Sequence, residues 1–268
     1  MLGSRRKAVK VVAKWGASRL LAVVMAVGVL VPAGAWAGTR VTSGQQSLQI
    51  KVSVRPSRAA ARGVRFELRY VYTNPKDPGQ QPGYNTKSIT FTEPKGAVFN
   101  ASAVPSCRES AVIKANGNAG VCPSGSKVGS GTVVVNARPA IKALVSGTVT
   151  EYNGVDDGGY GGSPKGSREL ILYIKTAIGA NTVNYFHLVK AAGGRWQLVA
   201  RFLKPAKPGV TPGSFTVEKL DLTLAGSPTK PYLSNPGTCS GSWPFSITVT
   251  NWFGQPSITA RDQVNCTS

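Results

Sequence analysis

The sequence predicts an all-β protein: an antiparallel β-sandwich, jelly-roll or immunoglobulin-like, of about ten strands behind an N-terminal export signal. Three observations predict it. Apolar and polar residues alternate along many short runs, glycine- and proline-rich turns separate the runs, and helical spacing is scarce after Gly38.

The alternation is clearest in Leu48-Gln49-Ile50-Lys51-Val52-Ser53-Val54-Arg55, and Val64 to Tyr70 repeats it. A period of two buries one face of a strand and wets the other, so Lys51, Arg55, Arg65 and Arg69 are expected on solvent-facing surfaces. Further strands are expected near Lys87–Phe91, Thr132–Asn136, Ala143–Tyr152, Glu169–Ile178, Thr182–Lys190, Arg195–Leu203, Ser214–Leu224, Trp243–Thr250 and Ser257–Val264. Glu169 to Ile174 is apolar almost throughout and reads as a central strand, while Trp243, Phe245, Ile247 and Val249 form one apolar face. Between Phe215 and Leu224 the apolar positions change parity, which a bulge near Glu218 accommodates.

Turns are marked by Asn74-Pro75-Lys76-Asp77-Pro78-Gly79, Asn153-Gly154, Ala192-Gly193-Gly194 and Lys204-Pro205-Ala206-Lys207-Pro208-Gly209. The best helical candidate is a turn or two between Arg108 and Ala115. Asp156 to Gly166 is a glycine-rich loop, and the only candidate domain boundary. A single domain over 38–268 is expected, because neither half has strands enough to close its own core.

The leader comes first in the chain. Arg5, Arg6, Lys7, Lys10, Lys14 and Arg19 precede the uninterrupted apolar run Leu20 to Val31, followed by Pro32 and the triplet Ala35-Trp36-Ala37. A basic start, a short apolar core and an A-x-A site make a secretory signal over 1–37, cleaved between Ala37 and Gly38. Twelve helical residues reach roughly 18 Å, short of the ~30 Å hydrocarbon core, so the segment reads as a leader rather than a span. Ser4-Arg5-Arg6-Lys7-Ala8-Val9-Lys10 resembles a twin-arginine motif, with Ala8-Val9 in place of the usual Phe-Leu; a merely basic leader on the general route is the simpler reading. The expected location is outside the cell or at its envelope.

The chain holds 32 Lys and Arg against 11 Asp and Glu. Six of the basic residues lie in the leader, so residues 38–268 keep a net charge of about +15. Such a surface favours polyanions, and an anionic cell-wall polymer or polysaccharide is the candidate partner. The basic residues are scattered, and specific nucleic-acid recognition is not expected.

Four cysteines, Cys107, Cys122, Cys239 and Cys266, imply two disulfides in an exported chain. Three pairings are open, of which the local one closes the shortest loops. No C-x-x-C occurs and His187 is the only histidine, so no metal site is expected.

Ser106-Cys107, a spacer, and Cys122-Pro123-Ser124-Gly125-Ser126-Lys127-Val128-Gly129-Ser130-Gly131-Thr132 together resemble a motif of secreted actinobacterial proteins of unknown function. Those proteins share a signal peptide, a Pro-Lys-Gly segment (here Pro94-Lys95-Gly96) and a late cysteine pair around an aromatic strand, matched by Cys239, Trp243, Phe245 and Cys266. The resemblance covers residues 87–268. It implies an exported β-sandwich with two disulfides and carries over no catalytic or binding residue. Read from the residues alone, Gly129 and Gly131 permit tight backbone geometry where a stapled loop enters a strand.

Chemistry is sparse. Gly120 to Lys127 lacks the order of a phosphate-binding loop, and neither G-x-S-x-G nor H-E-x-x-H occurs. His187 shares strand parity with Tyr185 and Val189 and reads as a half-buried sheet histidine rather than a general base. Carboxylates for glycoside hydrolysis would come from six glutamates and five aspartates, many of which alternate onto expected solvent faces. Asp156-Asp157 lacks the ligand spacing of a calcium loop and reads as a hairpin tip. No catalytic residue and no cofactor is expected. Sugar stacking would fall to Trp252 or Tyr160, with Trp196 and Trp243 behind them, and Trp243 is better placed for a core. The function expected is therefore a non-enzymatic exported β-protein at or outside the envelope, in a binding or structural role. A carbohydrate- or polyanion-binding module is the alternative, and a hydrolase comes third.

Overall fold

A computed structural model describes residues 38–158, 164–209 and 215–268. The leader, with Ala35 and Ala37, and the loop residue Tyr160 lie outside the described residues. Gly38 opens the described chain, its carbonyl accepting a hydrogen bond from Gln49 Nε2 at 2.6 Å.

The chain is all-β and antiparallel, as the alternation predicts. The strands are β1 (Val41–Ser43), β2 (Gln46–Arg55), β3 (Arg65–Thr73), β4 (Thr86–Thr92), β5 (Val98–Phe99), β6 (Cys107–Arg108), β7 (Lys127–Asn136) and β8 (Leu144–Val155). They continue with β9 (Arg168–Thr176), β10 (Asn181–Lys190), β11 (Trp196–Arg201), β12 (Thr216–Leu224), β13 (Leu233–Ser234), β14 (Ser242–Asn251) and β15 (Ile258–Asn265). Among the described residues one α-helix, α1 (Glu109–Lys114), occupies the segment where a short helix is expected.

More than ten strands form, and 13 of them join one sheet. Its order is β1-β2-β3-β12-β7-β8-β9-β10-β11-β4-β14-β15, with β6 running parallel alongside β8. The sheet curls until its two ends meet, so the facing layers of a sandwich are here opposite walls of a nearly closed barrel. β15 packs alongside β2, where Val52 N donates to Asp262 Oδ2 at 2.7 Å. Gln46 Nε2 donates to Pro256 O at 2.6 Å across the same seam. Closure of this kind covers strand edges that would otherwise offer unpaired backbone groups.

Local chemistry explains the elements. In β2 and β3 the apolar residues other than Val71 face the core, while Lys51, Arg55, Arg65 and Arg69 are exposed. The parity change in β12 is a register shift between Val217 and Lys219, opposite β7, where the bulge is expected. β9 is buried on both faces. Leu170, Leu172 and Ile174 join the barrel interior, whereas Ile171 and Tyr173 pack outward beneath the segment holding α1.

The cysteines take the local pairing, Cys107–Cys122 and Cys239–Cys266, with Cα separations of 5.0 and 5.8 Å. The first staples the α1 segment against the outer wall; the second ties the β13–β14 connection to the chain end. Two disulfides suit an oxidising compartment. Among the described residues no helix is long and apolar enough to cross a membrane.

The barrel has two unlike ends. One is plugged: β5 pairs with β13, Phe99 packs edge-on against Tyr232 with ring centroids 6.0 Å apart, and Val64 N donates to Leu233 O at 3.1 Å. Just inside the plug the walls touch through Phe66, Phe91 and Phe245, whose centroids lie 5.5 to 6.0 Å apart. At the other end the walls stay apart.

Candidate ligand cavity

Between the aromatic cluster and the open end lies a cavity of about 460 Å³, within the range of small-molecule sites. Residues of eight strands line it, and they are mainly apolar: Leu68 and Tyr70 on β3, Leu172 on β9, Phe186 on β10, Leu198 on β11 and Leu222 on β12 are examples. Its mouth is framed by Tyr84, Asn85, Phe202, Leu203, Pro205 and Phe215. Leu203 is 79% exposed and Phe215 46%, so the apolar lining continues out onto the surface. Asn85 fixes one side of the mouth, its side chain exchanging two 2.8 Å hydrogen bonds with the backbone of Gly209.

Two carboxyl groups interrupt the apolar lining near the plug. Glu93 is the next inward position after Ile89 and Phe91; Glu151 occupies the inward row of Val145 and Val149 on β8. Both side chains are buried, and Glu93 Oε1 and both Glu151 carboxyl oxygens have no hydrogen-bond partner among the described residues. Burial lifts the pKa of each from 4.5 to about 8, because the apolar surroundings disfavour the charged form. At neutral pH both are therefore mainly carboxylic acids, each with an O–H to donate. Tyr232, in the plug, is held above the usual phenol range by burial and then by Glu151 and Glu93.

Gly129 makes room for Glu151. A Cβ on Gly129 would lie 1.9 Å from Glu151 Oε2 and 2.6 Å from Thr223 O. Gly129 lies within β7, and what calls for glycine there is the space taken by this carboxyl and by Thr223 O.

The expectation that many carboxylates alternate onto solvent faces fails for four of the six glutamates. Glu93, Glu109, Glu151 and Glu169 are all buried. Alternation assigns Glu93, Glu151 and Glu169 to a face, but which face is covered depends on the plug and the stapled loop, both long-range features; Glu109 opens α1 inside that loop. An acidic residue in an inward apolar row is the local signal that picks out Glu93 and Glu151.

Glu109 and Glu169 lie on the opposite side of the wall. Beneath the α1 segment, Glu169 Oε2 is 3.5 Å from His187 Nδ1 across the β9–β10 pair. Burial, then repulsion from Glu109, Asp156 and Asp157, raises Glu169 to about 9, and burial lowers the His187 pKa. His187 is 2% exposed, more deeply buried than expected, and lies on the face turned away from the cavity. Asp157 accepts hydrogen bonds from Ser110 N at 3.0 Å and Oγ at 2.5 Å, anchoring α1 rather than gathering ligands with Asp156. Among the described residues no group of three His, Cys, Asp or Glu side chains is disposed to hold a metal.

The tryptophans divide. Trp243 is buried, its Nε1 donating to Thr238 O at 3.1 Å. Trp252 stands beside the mouth, where its backbone N donates to Asn85 O, but Lys87 and Lys204 cover its ring at 5.0 and 5.9 Å. Lys204 also lies 5.2 Å from the Phe253 ring. The residue expected to stack on sugar instead carries a basic rim. Compared with known proteins, the chain matches no family model, no curated protein and no solved structure.

Proposed function

We propose that this chain is a non-enzymatic binding protein, exported by the leader at 1–37 and folded as one domain over 38–268, that carries an apolar small molecule inside its barrel. The cavity carries this reading. A well-packed interior leaves few voids larger than a water molecule, whereas here the walls are held apart over about 460 Å³ and open through an apolar mouth. Keeping that space without an occupant forfeits contacts that a collapsed core would make. The resemblance to secreted actinobacterial proteins agrees with export and adds no ligand.

The basic charge acts at the rim in this reading. Lys87 and Lys204, over Trp252 and Phe253, sit beside the exposed Leu203 and Phe215, so the mouth suits approach to an anionic envelope surface from which an apolar ligand is drawn. The anionic-polymer partner becomes a surface the protein visits rather than the cargo.

The test is titration of the purified, oxidised protein with an apolar fluorescent probe such as N-phenylnaphthylamine, repeated with Asn184→Trp. Asn184 lines the cavity and is only partly buried, so an indole there obstructs the space at small cost to the core. Saturable enhancement, lost in Asn184→Trp at unchanged melting temperature, supports the carrier reading. Absence of saturable binding, or equal binding by the variant, refutes it.

A further inference from the structure

We propose that the carboxyl groups of Glu93 and Glu151 are the polar contacts of the bound ligand, and that this ligand is a long-chain acyl compound whose inserted end bears an uncharged oxygen acceptor. The inference rests on the carrier reading and adds the chemistry and direction of the cargo.

Two features of the site require a polar partner at its closed end. Glu93 Oε1 and both Glu151 oxygens are buried without a hydrogen bond among the described residues, and both side chains face the same cavity. A buried polar group left unpaired costs about 1–3 kcal/mol, and a cavity meant only for hydrocarbon is served better by leucine at those positions. Gly129, which leaves space for the Glu151 carboxyl, adds a backbone accommodation to the same arrangement.

The charge state narrows the partner. As neutral acids, Glu93 and Glu151 present O–H donors, which match an ester carbonyl, a hydroxyl or an undissociated acid. A permanent anion would bring an uncompensated charge into the apolar interior. A cation would pair with an ionised glutamate, but residues 38–268 carry about +15 and the mouth is flanked by Lys87 and Lys204, which repel cations on approach. No described side chain hydrogen-bonds to Glu93 Oε1 or to either Glu151 oxygen. Tyr232 is close enough to feel both charges, and Arg168 acts on Tyr232. The ligand therefore enters polar end first, with its chain along Leu172, Leu198 and Leu222 toward the mouth.

The experiment compares hexadecane, methyl palmitate, hexadecanol and hexadecylamine as competitors of the fluorescent probe, at about pH 6 and about pH 10, on either side of the pKa near 8. Wild type and Glu93→Gln/Glu151→Gln are measured in parallel. At the lower pH, methyl palmitate and hexadecanol should bind wild type roughly tenfold more tightly than hexadecane. At the higher pH, methyl palmitate, an acceptor only, should lose that advantage, while hexadecanol, which also donates, keeps part of it. The double Gln variant keeps pH-independent donors and should prefer the ester at both pH values.

Equal binding of ester and alkane, a pH-independent ester preference in wild type, or tightest binding of the amine overturns this inference while hexadecane binding leaves the carrier reading standing. Failure of every competitor, hexadecane included, overturns both.

Discussion

Glu93 and Glu151 should make the empty protein less stable as pH rises through a range where most proteins gain. In the unfolded chain each carboxyl ionises near 4.5, and in the fold near 8. Between those values the native state binds more protons than the unfolded one, so unfolding is increasingly favoured as pH rises. The stabilisation is complete below about 4.5, declines through the window and levels off above about 8. Each group contributes a slope of roughly 1.4 kcal/mol per pH unit. From pH 5 to 7 the pair together removes about 5 kcal/mol, equivalent to a fall in melting temperature on the order of 10 °C for a chain of this size. Glu93→Gln/Glu151→Gln removes both titrations while keeping polar side chains of similar volume. Thermal melts of the ligand-free, oxidised proteins at half-unit pH steps should therefore converge near pH 4.5 and separate progressively up to pH 8, with the variant the more stable. Glu169, raised to about 9, tilts both curves in the same sense and leaves their difference untouched. Curves separated by a constant amount across the window would refute the claim that these two carboxyls are buried and neutral.

Other outcomes follow from single contacts. Cys107→Ser/Cys122→Ser opens a loop spanning 15 residues, and denaturant melts should show a loss of about 3 kcal/mol, with proteolysis concentrated in the freed 107–122 segment. Gly129→Ala should cost about 1–3 kcal/mol in the same assay. Adding Glu151→Ala should recover only part of that loss, because Thr223 O still lies 2.6 Å from the new Cβ. Leu203→Asp/Phe215→Asp at the mouth should leave the melting temperature within about 1 °C, since both side chains are exposed. The same variant should reduce association with vesicles of phosphatidylglycerol, measured by sedimentation.

Most of the fold's local detail is legible in the sequence, because strand faces, turns and bulges are set by neighbours. The alternation from Leu48 to Arg55 specifies β2 and its wet face, and the parity change near Glu218 marks the β12 bulge. The buried face of Trp243, Phe245, Ile247 and Val249 is equally local information. Glu169 to Ile174 announces a strand with two covered faces, although not that its two covers are the barrel interior and a stapled helix.

What the sequence by itself determined was the strand class, the strand positions and the even cysteine set. Tertiary structure alone decided that β12 lies between β3 and β7, that β4 lies between β11 and β14, and that the sheet curls round until β15 meets β2. Those pairings join residues far apart in the chain, and a period of two is the same whether inward faces meet across a sandwich or surround a space. The candidate site belongs to that second category. Glu93 and Glu151 each sit at an inward position that alternation could mark, but only closure of the walls and plugging of one end turn two such positions into buried acids facing one cavity.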